Sequence, residues 1–307
     1  MTYRAAFIIN AQAGRGVDEA LMHEHRPAVD AVANGGPIRF VSSGEEIVGA
    51  VREALDAGCS TIVAGGGDGT LNAVASRLVG TDVRLGILPL GTLNHFARDL
   101  GIPLEPAQAL QTVASGVELK VDVGEVNGHH FLNNSSIGLY PDIVRDRERQ
   151  QSRLGRGKWV AFAWAMWGAL RRFPFLDVRL MLDGAERAHR TPFVFVGNNA
   201  YQMTGFQIGS RECLTDGTLS IYVTERPTRL RLLFLGLHAL TGRLRQSDDF
   251  RVMSAPSVRI ATRHRSLRVA TDGEVRRLGT PLDYRVHAGA LKVIVPRRAE
   301  SSASPGV

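Results

Sequence analysis

The chain has 307 residues, more than a single hydrophobic core usually supports, so two domains are expected. Its formal charge of +7 favours anionic partners such as nucleotides or anionic membrane surfaces, although a generally basic composition explains the same charge. The two cysteines, Cys59 and Cys213, exclude a disulfide framework and a zinc module, and a reducing cytoplasm fits them best. The longest apolar stretch, Trp159 to Leu170, is shorter than the roughly 20 residues that cross a bilayer, and the N-terminal apolar run is too short for a signal sequence.

Residues 1–121 alternate short apolar runs with segments of helical spacing. Because parallel strands need crossover helices, this alternation predicts an α/β domain with a parallel sheet. The apolar runs predict strands at Ala5 to Ile9, Ile38 to Val41, Thr61 to Ala64 and Leu85 to Leu88. The helical segments are Asp18 to Asn34, Glu45 to Ala57 and Thr70 to Leu78.

Residues 122–290 change to many short apolar runs separated by turn dipeptides, which predicts a β-rich, sandwich-like second domain. The predicted strands are Val123 to Val126, His130 to Asn133, Val178 to Leu182, Phe193 to Val196, Leu219 to Val223, Val258 to Ala261 and Leu267 to Ala270. The turn dipeptides are Asn127-Gly128, Asp183-Gly184, Asp216-Gly217 and Asp272-Gly273.

Two basic, apolar segments interrupt the strand pattern, Arg153 to Phe175 and Thr228 to Arg245. Each is interpreted either as an interfacial helix or lid at a lipid entrance, or as a helix packed on the sheet with basic ends. A last strand, residues 291–296, follows, and residues 297–307 form a polar tail that we expect to be disordered. His129 and His130 lie in a pattern with no set of partner ligands, so they are interpreted as surface or loop histidines.

The first chemical signal is a glycine-rich loop between a buried strand and a helix. Residues 65–70 read Gly-Gly-Gly-Asp-Gly-Thr. Glycines let the backbone approach a phosphate, and the helix N-terminus that follows offers free N–H groups to the anion. Asp68 lies at the carboxyl end of the strand, where it can hold Mg²⁺ or orient a hydroxyl. The alternative is a tight turn in which the glycines serve only the geometry.

A second loop of the same form runs from Pro89 to Ala97. Thr92 is placed to cap the helix that follows, and either its hydroxyl or the Asn94 amide is within the expected reach of a phosphate. The alternative for Thr92 is a simple helix cap.

Taken together, these motifs resemble the diacylglycerol kinase catalytic family, which includes sphingosine and ceramide kinases and bacterial lipid kinases. The match follows chain order over almost the whole sequence. The motifs are Asn10-Ala11-Gln12-Ala13-Gly14, Gly65 to Thr70, Pro89 to Ala97, Val121-Asp122-Val123-Gly124, Phe131-Leu132-Asn133, Ser136-Ile137-Gly138, Leu214 to Leu219 and Asp272-Gly273-Glu274.

The resemblance implies an N-terminal domain like that of NAD kinases and phosphofructokinases, a β-rich lipid-substrate domain, and an active site in the cleft between them. It also implies that residues 291–296 return to the first domain. It assigns ATP contacts to Asn10, Ala11, Gln12, Ala13, Gly14, Ser42, Gly66, Gly67, Asp68, Gly69, Thr70, Leu71, Asn72, Thr92, Asn94 and His95. The alignment at Ser42 is loose, and Ser43 fits as well.

The resemblance further implies that Glu274 is the general base for the acceptor hydroxyl and that Asp68 is catalytic. Asp68 and Asp122 are implied as ligands of the catalytic Mg²⁺. A structural Mg²⁺ site is implied at Asp216 with the carbonyls of Cys213 and Thr218. On the residues alone, Glu274 is also compatible with a solvated turn, and Asp216 with a plain type I′ turn.

Two residues depart from the family pattern. Ala11 replaces a proline, which should only loosen the loop of residues 10–14. His95 stands where many members have an aspartate, and a neutral imidazole is a poor ligand for Mg²⁺, which prefers hard oxygen donors. When protonated, His95 can instead donate to a phosphate oxygen.

The sequence therefore predicts an ATP-dependent, Mg²⁺-dependent lipid kinase that phosphorylates diacylglycerol or a related lipid alcohol. We expect it in the cytoplasm, in peripheral contact with anionic membranes and without nucleic-acid binding, and a homodimer remains open. The alternatives are a kinase of a soluble substrate related to NAD kinase, and a catalytically impaired regulator that binds nucleotide or lipid.

Overall fold

The computed structural model describes residues 4–13, 24–138, 175–204, 207–211, 213–224 and 250–297. These residues belong to two compact units, one of Met1–Val121 with Ala290–Val307 and one of Asp122–Gly289. Gly14, the segment Thr228 to Arg245, the tail from residue 298 and all of Arg153 to Phe175 except Phe175 itself lie outside the described residues.

The first unit is built on a parallel sheet with strand order β2-β1-β3-β4. Its strands are β1 (Ala5–Asn10), β2 (Ile38–Val41), β3 (Thr61–Gly66) and β4 (Arg84–Pro89). β3 is buried along its whole length, as expected for a strand covered on both faces. The last strand of the chain, β18 (Leu282–Val295), places Lys292 and Val293 in parallel register with Arg84 and Leu85 of β4.

Helices follow the strands of this sheet in chain order. They are α1 (Arg26–Ala33), α2 (Gly44–Asp56), α3 (Asp68–Leu78), α4 (His95–Asp99) and α5 (Pro106–Ser115). The Ser43 side chain accepts a hydrogen bond from the amide of Glu46, and Glu105 caps α5 through the amides of Ala107 and Gln108. Among the described helices, none is long and apolar enough to cross a bilayer.

The second unit contains two antiparallel sheets, which confirms the predicted sandwich. One sheet has strand order β14-β13-β10-β7-β16-β17, and in the other β18, β15, β8 and β9 lie side by side while β5 pairs with β6 and β18. The remaining strands β11 and β12 form a separate hairpin. The bounds are β5 (Val117–Val126), β6 (His129–Phe131), β7 (Asn134–Gly138), β8 (Leu176–Leu182), β9 (Ala185–Thr191), β10 (Phe193–Asn198), β11 (Tyr201–Thr204), β12 (Gln207–Arg211), β13 (Leu219–Thr224), β14 (Phe250–Ala255), β15 (Ser257–Thr262), β16 (Ser266–Thr271) and β17 (Glu274–Gly279).

Among the described residues of this unit, an apolar cluster forms the core. Alternate residues of β8, such as Val178 and Leu180, are buried in it, and so are Ile137 of β7 and Val196 of β10. Strand alternation with period two thus points one face of each sheet into the core. Tyr284 is buried in the same cluster and its hydroxyl bonds the Ser135 hydroxyl at 3.0 Å, so one polar contact lies within the apolar core.

The turn dipeptides behave as predicted in three of four places. Both residues of Asn127-Gly128, Asp183-Gly184 and Asp272-Gly273 have positive φ, as type I′ hairpin turns require. At Asp216-Gly217 only the glycine has positive φ, so a type I′ turn is wrong for this segment. The two predicted helix starts at Glu45 and Thr70 lie one and two residues earlier in the structure, at Gly44 and Asp68.

The buried pair of Tyr284 and Ser135 gives a test of this core. Tyr284→Phe removes one hydroxyl and deprives Ser135 of its partner, which should lower the free energy of unfolding by about 1–2 kcal/mol. Tyr284→Phe combined with Ser135→Ala removes both groups and should cost less than the sum of the single changes. Urea unfolding followed by circular dichroism measures all three variants, and strictly additive effects would contradict a coupled pair.

Candidate active site

The N-terminus of α3 carries no side-chain cap. Its N-cap residue is Gly67, whose backbone is extended and which has no side chain to accept from the amides of the first turn. The contrast with α2 and α5 is informative, because Ser43 and Glu105 occupy that position in those helices. The first amides of a helix have no acceptor within the helix and carry a partial positive charge. The first turn of α3 is therefore suited to an anionic ligand.

Asp68 lies in the first turn of α3, but its carboxylate bonds a different helix. Oδ2 accepts from the amide of His95 and Oδ1 from the amide of Phe96, both at 3.1 Å. The side chain therefore caps α4 and ties the second loop to the first. Each carboxylate oxygen has further lone-pair capacity, so these two bonds leave room for a cation.

The two glycine-rich loops meet backbone to backbone. A Cβ atom on Gly91 would lie 2.4 Å from the Cα of Gly67 and 2.8 Å from Oδ1 of Asn94. A Cβ atom on Gly66 would lie 2.5 Å from Cβ of Thr70. Gly66 and Gly91 are thus required by the packing of the loops themselves, which supports the geometric alternative for these two positions.

The second loop differs from the expectation at Thr92 and Asn94. Thr92 is exposed and does not cap α4, because the helix begins at His95 and Asp68 accepts from its first amides. Asn94 is buried, and its amide group donates to the carbonyls of Pro89 and Gly91 while its oxygen accepts from the Gly91 amide. The Asn94 side chain therefore holds the loop in shape.

Asn10 joins the loop of residues 10–13, which follows β1, to α3. Its Nδ2 donates to the Thr70 hydroxyl at 2.9 Å and its Oδ1 accepts from the amide of Gln12. The Ala13 amide closes a turn on the Asn10 carbonyl, and the Gln12 side chain is exposed beside it. Asn10, Thr70, Asp68 and the second loop thus lie together at the carboxyl ends of β1, β3 and β4.

The other residues assigned to nucleotide contact have mixed surroundings. The Leu71 side chain is buried, so only its backbone is suited to contact a nucleotide. The Asn72 side chain accepts a hydrogen bond from the Ser76 hydroxyl. Gly69 is exposed in the first turn of α3. Ser42 is exposed and its amide donates to the Glu46 carboxylate, next to the cap made by Ser43.

Asp122 is buried at the start of the second unit, and three donors surround its carboxylate. Oδ2 accepts from Nδ2 of Asn199 at 2.7 Å and from the amide of Gly217 at 2.6 Å, and Oδ1 accepts from the amide of Gly289 at 2.8 Å. The Asp122 amide donates to the carbonyl of Leu214. Asp122 therefore anchors the segment that carries Asp216.

The residues predicted for a structural Mg²⁺ site lie in that anchored segment. Asp216 is exposed, and the Thr218 carbonyl accepts from the amide of Asn199 at 3.0 Å. The Cys213 sulfur lies 3.2 Å from the Thr215 hydroxyl. The structure brings Asp122 together with residues 214–218, whereas Asp68 belongs to the other unit.

Glu274 follows the Asp272-Gly273 turn at the start of β17. Its side chain is half exposed and pairs with Arg276 at 2.7 Å. The turn itself is anchored by Asp272, whose carboxylate accepts from the amides of Leu132, Asn133 and Asn134 at 2.7–3.0 Å. The Glu274 carboxylate, which reaches solvent, is thus held on a turn whose position Asp272 fixes.

Arg211 also supports the segment that anchors the Asp272 turn. The sequence pattern does not indicate this role. Its buried guanidinium donates to the Leu132 carbonyl and to Oδ1 of Asn133. Burial raises the pKa of Asp272 to about 6, against the three backbone amides and the charge of Arg211, which act to lower it. An isolated arginine in a strand carries no sequence signal for such a role.

Comparison with known proteins identifies relatives along the whole chain. A diacylglycerol kinase catalytic domain matches residues 4–126, and a YegS C-terminal NAD kinase beta sandwich-like domain matches residues 141–295. A "probable lipid kinase YegS-like" of Chromohalobacter salexigens is 30% identical over 264 residues, 83% of each chain. The diacylglycerol kinase of Bacillus subtilis is 27% identical over 78% of this chain and 79% of its own. The crystal structure of a diacylglycerol kinase from Bacillus anthracis has the same fold, with a TM-score of 0.68 at 23% identity over 95% of this chain and 96% of that one.

The contact between the two loops predicts opposite effects for two glycine substitutions. Gly91→Ala forces a methyl group into the backbone of Gly67 and should lower the free energy of unfolding by about 1–3 kcal/mol. Gly49→Ala is the matched control, because Gly49 lies inside α2 with no atom within 4 Å of a new Cβ, and it should stabilise by about 0.5–1 kcal/mol. Thermal unfolding measures both, and equal effects at the two positions would exclude the close contact.

The raised pKa of Asp272 predicts a pH dependence of stability. The unfolded chain loses this proton near its ordinary value of 3.8 and the folded protein near 6, so the folded state binds more protons between these values. The free energy of unfolding contributed by Asp272 should therefore fall as the pH rises from about 4 to about 6. Urea unfolding across this range should show the wild type losing stability relative to Asp272→Asn, which has no titrating group at this position, and parallel curves would contradict the prediction.

Proposed function

Because the chain belongs to the diacylglycerol kinase catalytic family, we propose that it transfers the γ-phosphate of ATP to the hydroxyl of diacylglycerol or a related lipid alcohol. The observation that carries the proposal is the uncapped N-terminus of α3, with Gly67 and Asp68 at its first turn. The same helix end is suited to the phosphates of ATP, whose negative charge the free amides can accommodate.

The residues around this helix end supply the rest of the nucleotide site. The Asn10 side chain donates a hydrogen bond to the Thr70 hydroxyl, so the loop that begins at Asn10 is fixed next to the amides of α3. The exposed side chains of Gln12, in the loop that begins at Asn10, and of Thr92, in the loop after β4, are free to contact the nucleotide. Asn94 contributes indirectly, because it fixes the backbone of Gly91.

The chemistry of Asp68 fits Mg²⁺. Its two oxygens are already oriented by the amides of His95 and Phe96, and each keeps capacity for a cation. When bound, Mg²⁺ neutralises the charge that develops on the phosphate oxygens during transfer. Asp122, whose carboxylate is surrounded by three donors, acts in this scheme by fixing the segment of a second Mg²⁺ site at Asp216 with the carbonyls of Cys213 and Thr218.

We assign Glu274 the role of general base. As the lipid oxygen forms its bond to the γ-phosphorus, the bond from that phosphorus to the bridging oxygen of ATP breaks and ADP leaves. The proton of the lipid hydroxyl passes to the Glu274 carboxylate. Arg276 pairs with Glu274 in the structure, and this exposed ion pair is weak enough to exchange for a hydroxyl.

The relatives favour a lipid acceptor, since they are named as lipid or diacylglycerol kinases. The net charge of +7 is suited to peripheral contact with an anionic membrane, where such an acceptor resides. His95 supports one competing candidate, a protein that binds nucleotide without transferring phosphate. In the structure His95 is exposed, and its amide reaches Asp68.

The test is transfer of radiolabelled γ-phosphate from ATP in mixed micelles with Mg²⁺, with diacylglycerol, phosphatidylglycerol and a sphingoid base as acceptors and NAD as the soluble alternative. We expect one lipid class to be labelled. Asp68→Asn should abolish labelling, and Glu274→Gln should lower kcat by about 10²–10⁴-fold, the range of general-base catalysis.

Glu186→Gln is the matched control for Glu274→Gln, because Glu186 is equally exposed on a strand of the same unit and also pairs with an arginine, Arg179. It should leave kcat unchanged. Labelling that persists in Asp68→Asn would refute the proposed site. Nucleotide binding without transfer, together with transfer gained by His95→Asp, would favour the regulator.

A further inference from the structure

Glu125, His130 and His287 converge on one face of the second unit. Glu125 lies on β5 and is directly opposite His130 of β6, and His287 lies on β18, with which β5 also pairs. Nε2 of His287 lies 2.6 Å from Oε2 of Glu125, and Nε2 of His130 lies 3.8 Å from the same oxygen. The three ligand atoms all lie within 4.8 Å of one another. The interpretation of His130 as a surface or loop histidine is therefore wrong.

We propose that Glu125, His130 and His287 bind a divalent first-row transition metal, with Zn²⁺ as the best fit. Two imidazoles and one carboxylate form a borderline donor set, which Zn²⁺ binds readily and which Mg²⁺, with its preference for oxygen ligands, does not. The site belongs to the second unit and shares no residue with the nucleotide-binding loops of the first, so the proposal does not depend on the kinase activity.

The distances need only small adjustments. Ligand atoms at Zn–ligand distances of about 2.0–2.1 Å in tetrahedral geometry lie about 3.3 Å apart. The separation of 2.6 Å between His287 and Glu125 has to open, and that of 3.8 Å between His130 and Glu125 has to close. The nitrogens of His130 and His287, which lie within 4.8 Å of each other, also have to reach this spacing, so both imidazoles must reorient when the metal binds. The metal then takes the place of the direct contact between His287 and Glu125.

Arg285 is the competitor for this site. Its guanidinium contacts both oxygens of Glu125, at 3.0 and 2.8 Å. The Glu125 side chain is only 8% exposed, but that of Arg285 is 61% exposed. Arg285 can therefore move into solvent at the cost of one ion pair, while Glu125 stays in place. The positive charge of Arg285 opposes a cation beside Glu125, so metal binding favours release of the Arg285 contact to Oε2.

The position of the ligands defines what the metal does. It joins the β5–β6 hairpin to β18 through side chains, in addition to the backbone hydrogen bonds of the sheet. Three protein ligands leave the fourth position of a tetrahedral ion to water. The metal is thus a clip that stabilises the second unit.

The test is a Co²⁺ titration of the full-length, tag-free protein after treatment with a chelator, in excess Mg²⁺ to occupy the sites proposed at Asp68 and Asp216. We expect visible d–d absorption that saturates at one equivalent and is abolished by Zn²⁺. Zn²⁺ should also raise the midpoint of thermal unfolding. His130→Ala and His287→Ala should each weaken Co²⁺ binding by at least about tenfold, as loss of a ligand exceeds the effect of its outer-shell partners.

Two further variants separate the proposal from general effects. His129→Ala is the matched control, because His129 is the neighbouring histidine and its ring contacts Arg276 instead. It should bind Co²⁺ like the wild type. Arg285→Gln removes the competitor and should tighten Co²⁺ binding by at least about twofold, the scale of an exposed ion pair.

Several results would overturn the proposal. One is the absence of any absorption change in excess Co²⁺, and another is equal binding by the wild type, His130→Ala and His287→Ala. Sulfur-to-metal charge-transfer bands would assign the ion to a cysteine instead. Weaker binding by Arg285→Gln would also refute it, because Arg285 would then support the site and not compete for it. Circular dichroism of each variant excludes loss of fold as the cause.

Discussion

The backbone of Gly67 lies against that of Gly91, and the candidate active site depends on this contact. β3 and β4 are neighbours in register up to Gly66 and Pro89, so their loops leave the sheet side by side. Only without side chains can these loops approach closely enough for the Asp68 carboxylate of one to bind the amides of the other. The α3 N-terminus then keeps its own amides for a ligand, because Asp68 is committed elsewhere.

The second unit relies on carboxylates buried among donors. Asp122 and Asp272 each accept three hydrogen bonds, and five of the six donors are backbone amides, in loops at Leu132, Asn133 and Gly217 and in strands at Asn134 and Gly289. A buried charge is costly unless it is paired or hydrogen-bonded, so these loops are stable in one arrangement only. Asp122 and Asp272 therefore act mainly on geometry, whereas Glu274 and Asp216 reach solvent.

Sequence patterns predicted the architecture well, because β1 and β3 of the first unit are buried along nearly their whole length and β8 alternates buried and exposed residues. The glycine-rich loops also fell at the predicted strand ends. Patterns could not reveal contacts between distant residues. Asp68 capping α4, Arg211 beneath the Asp272 turn and His287 beside Glu125 join positions 27 to 162 residues apart. The cap alternative for Thr92 is wrong, and local spacing cannot show that a carboxylate from another loop accepts from the first amides of α4 instead.

The first unit is discontinuous in the chain, and the second is inserted into it before Ala290. On the ribosome, β4 is made some 200 residues before Lys292 and Val293 arrive to pair with it. During that interval β4 has an open edge, which is the kind of surface that recruits strands from other chains. A nascent or truncated chain that ends before residue 290 would carry both glycine-rich loops on an incomplete sheet, so aggregation is the hazard that accompanies this chain order.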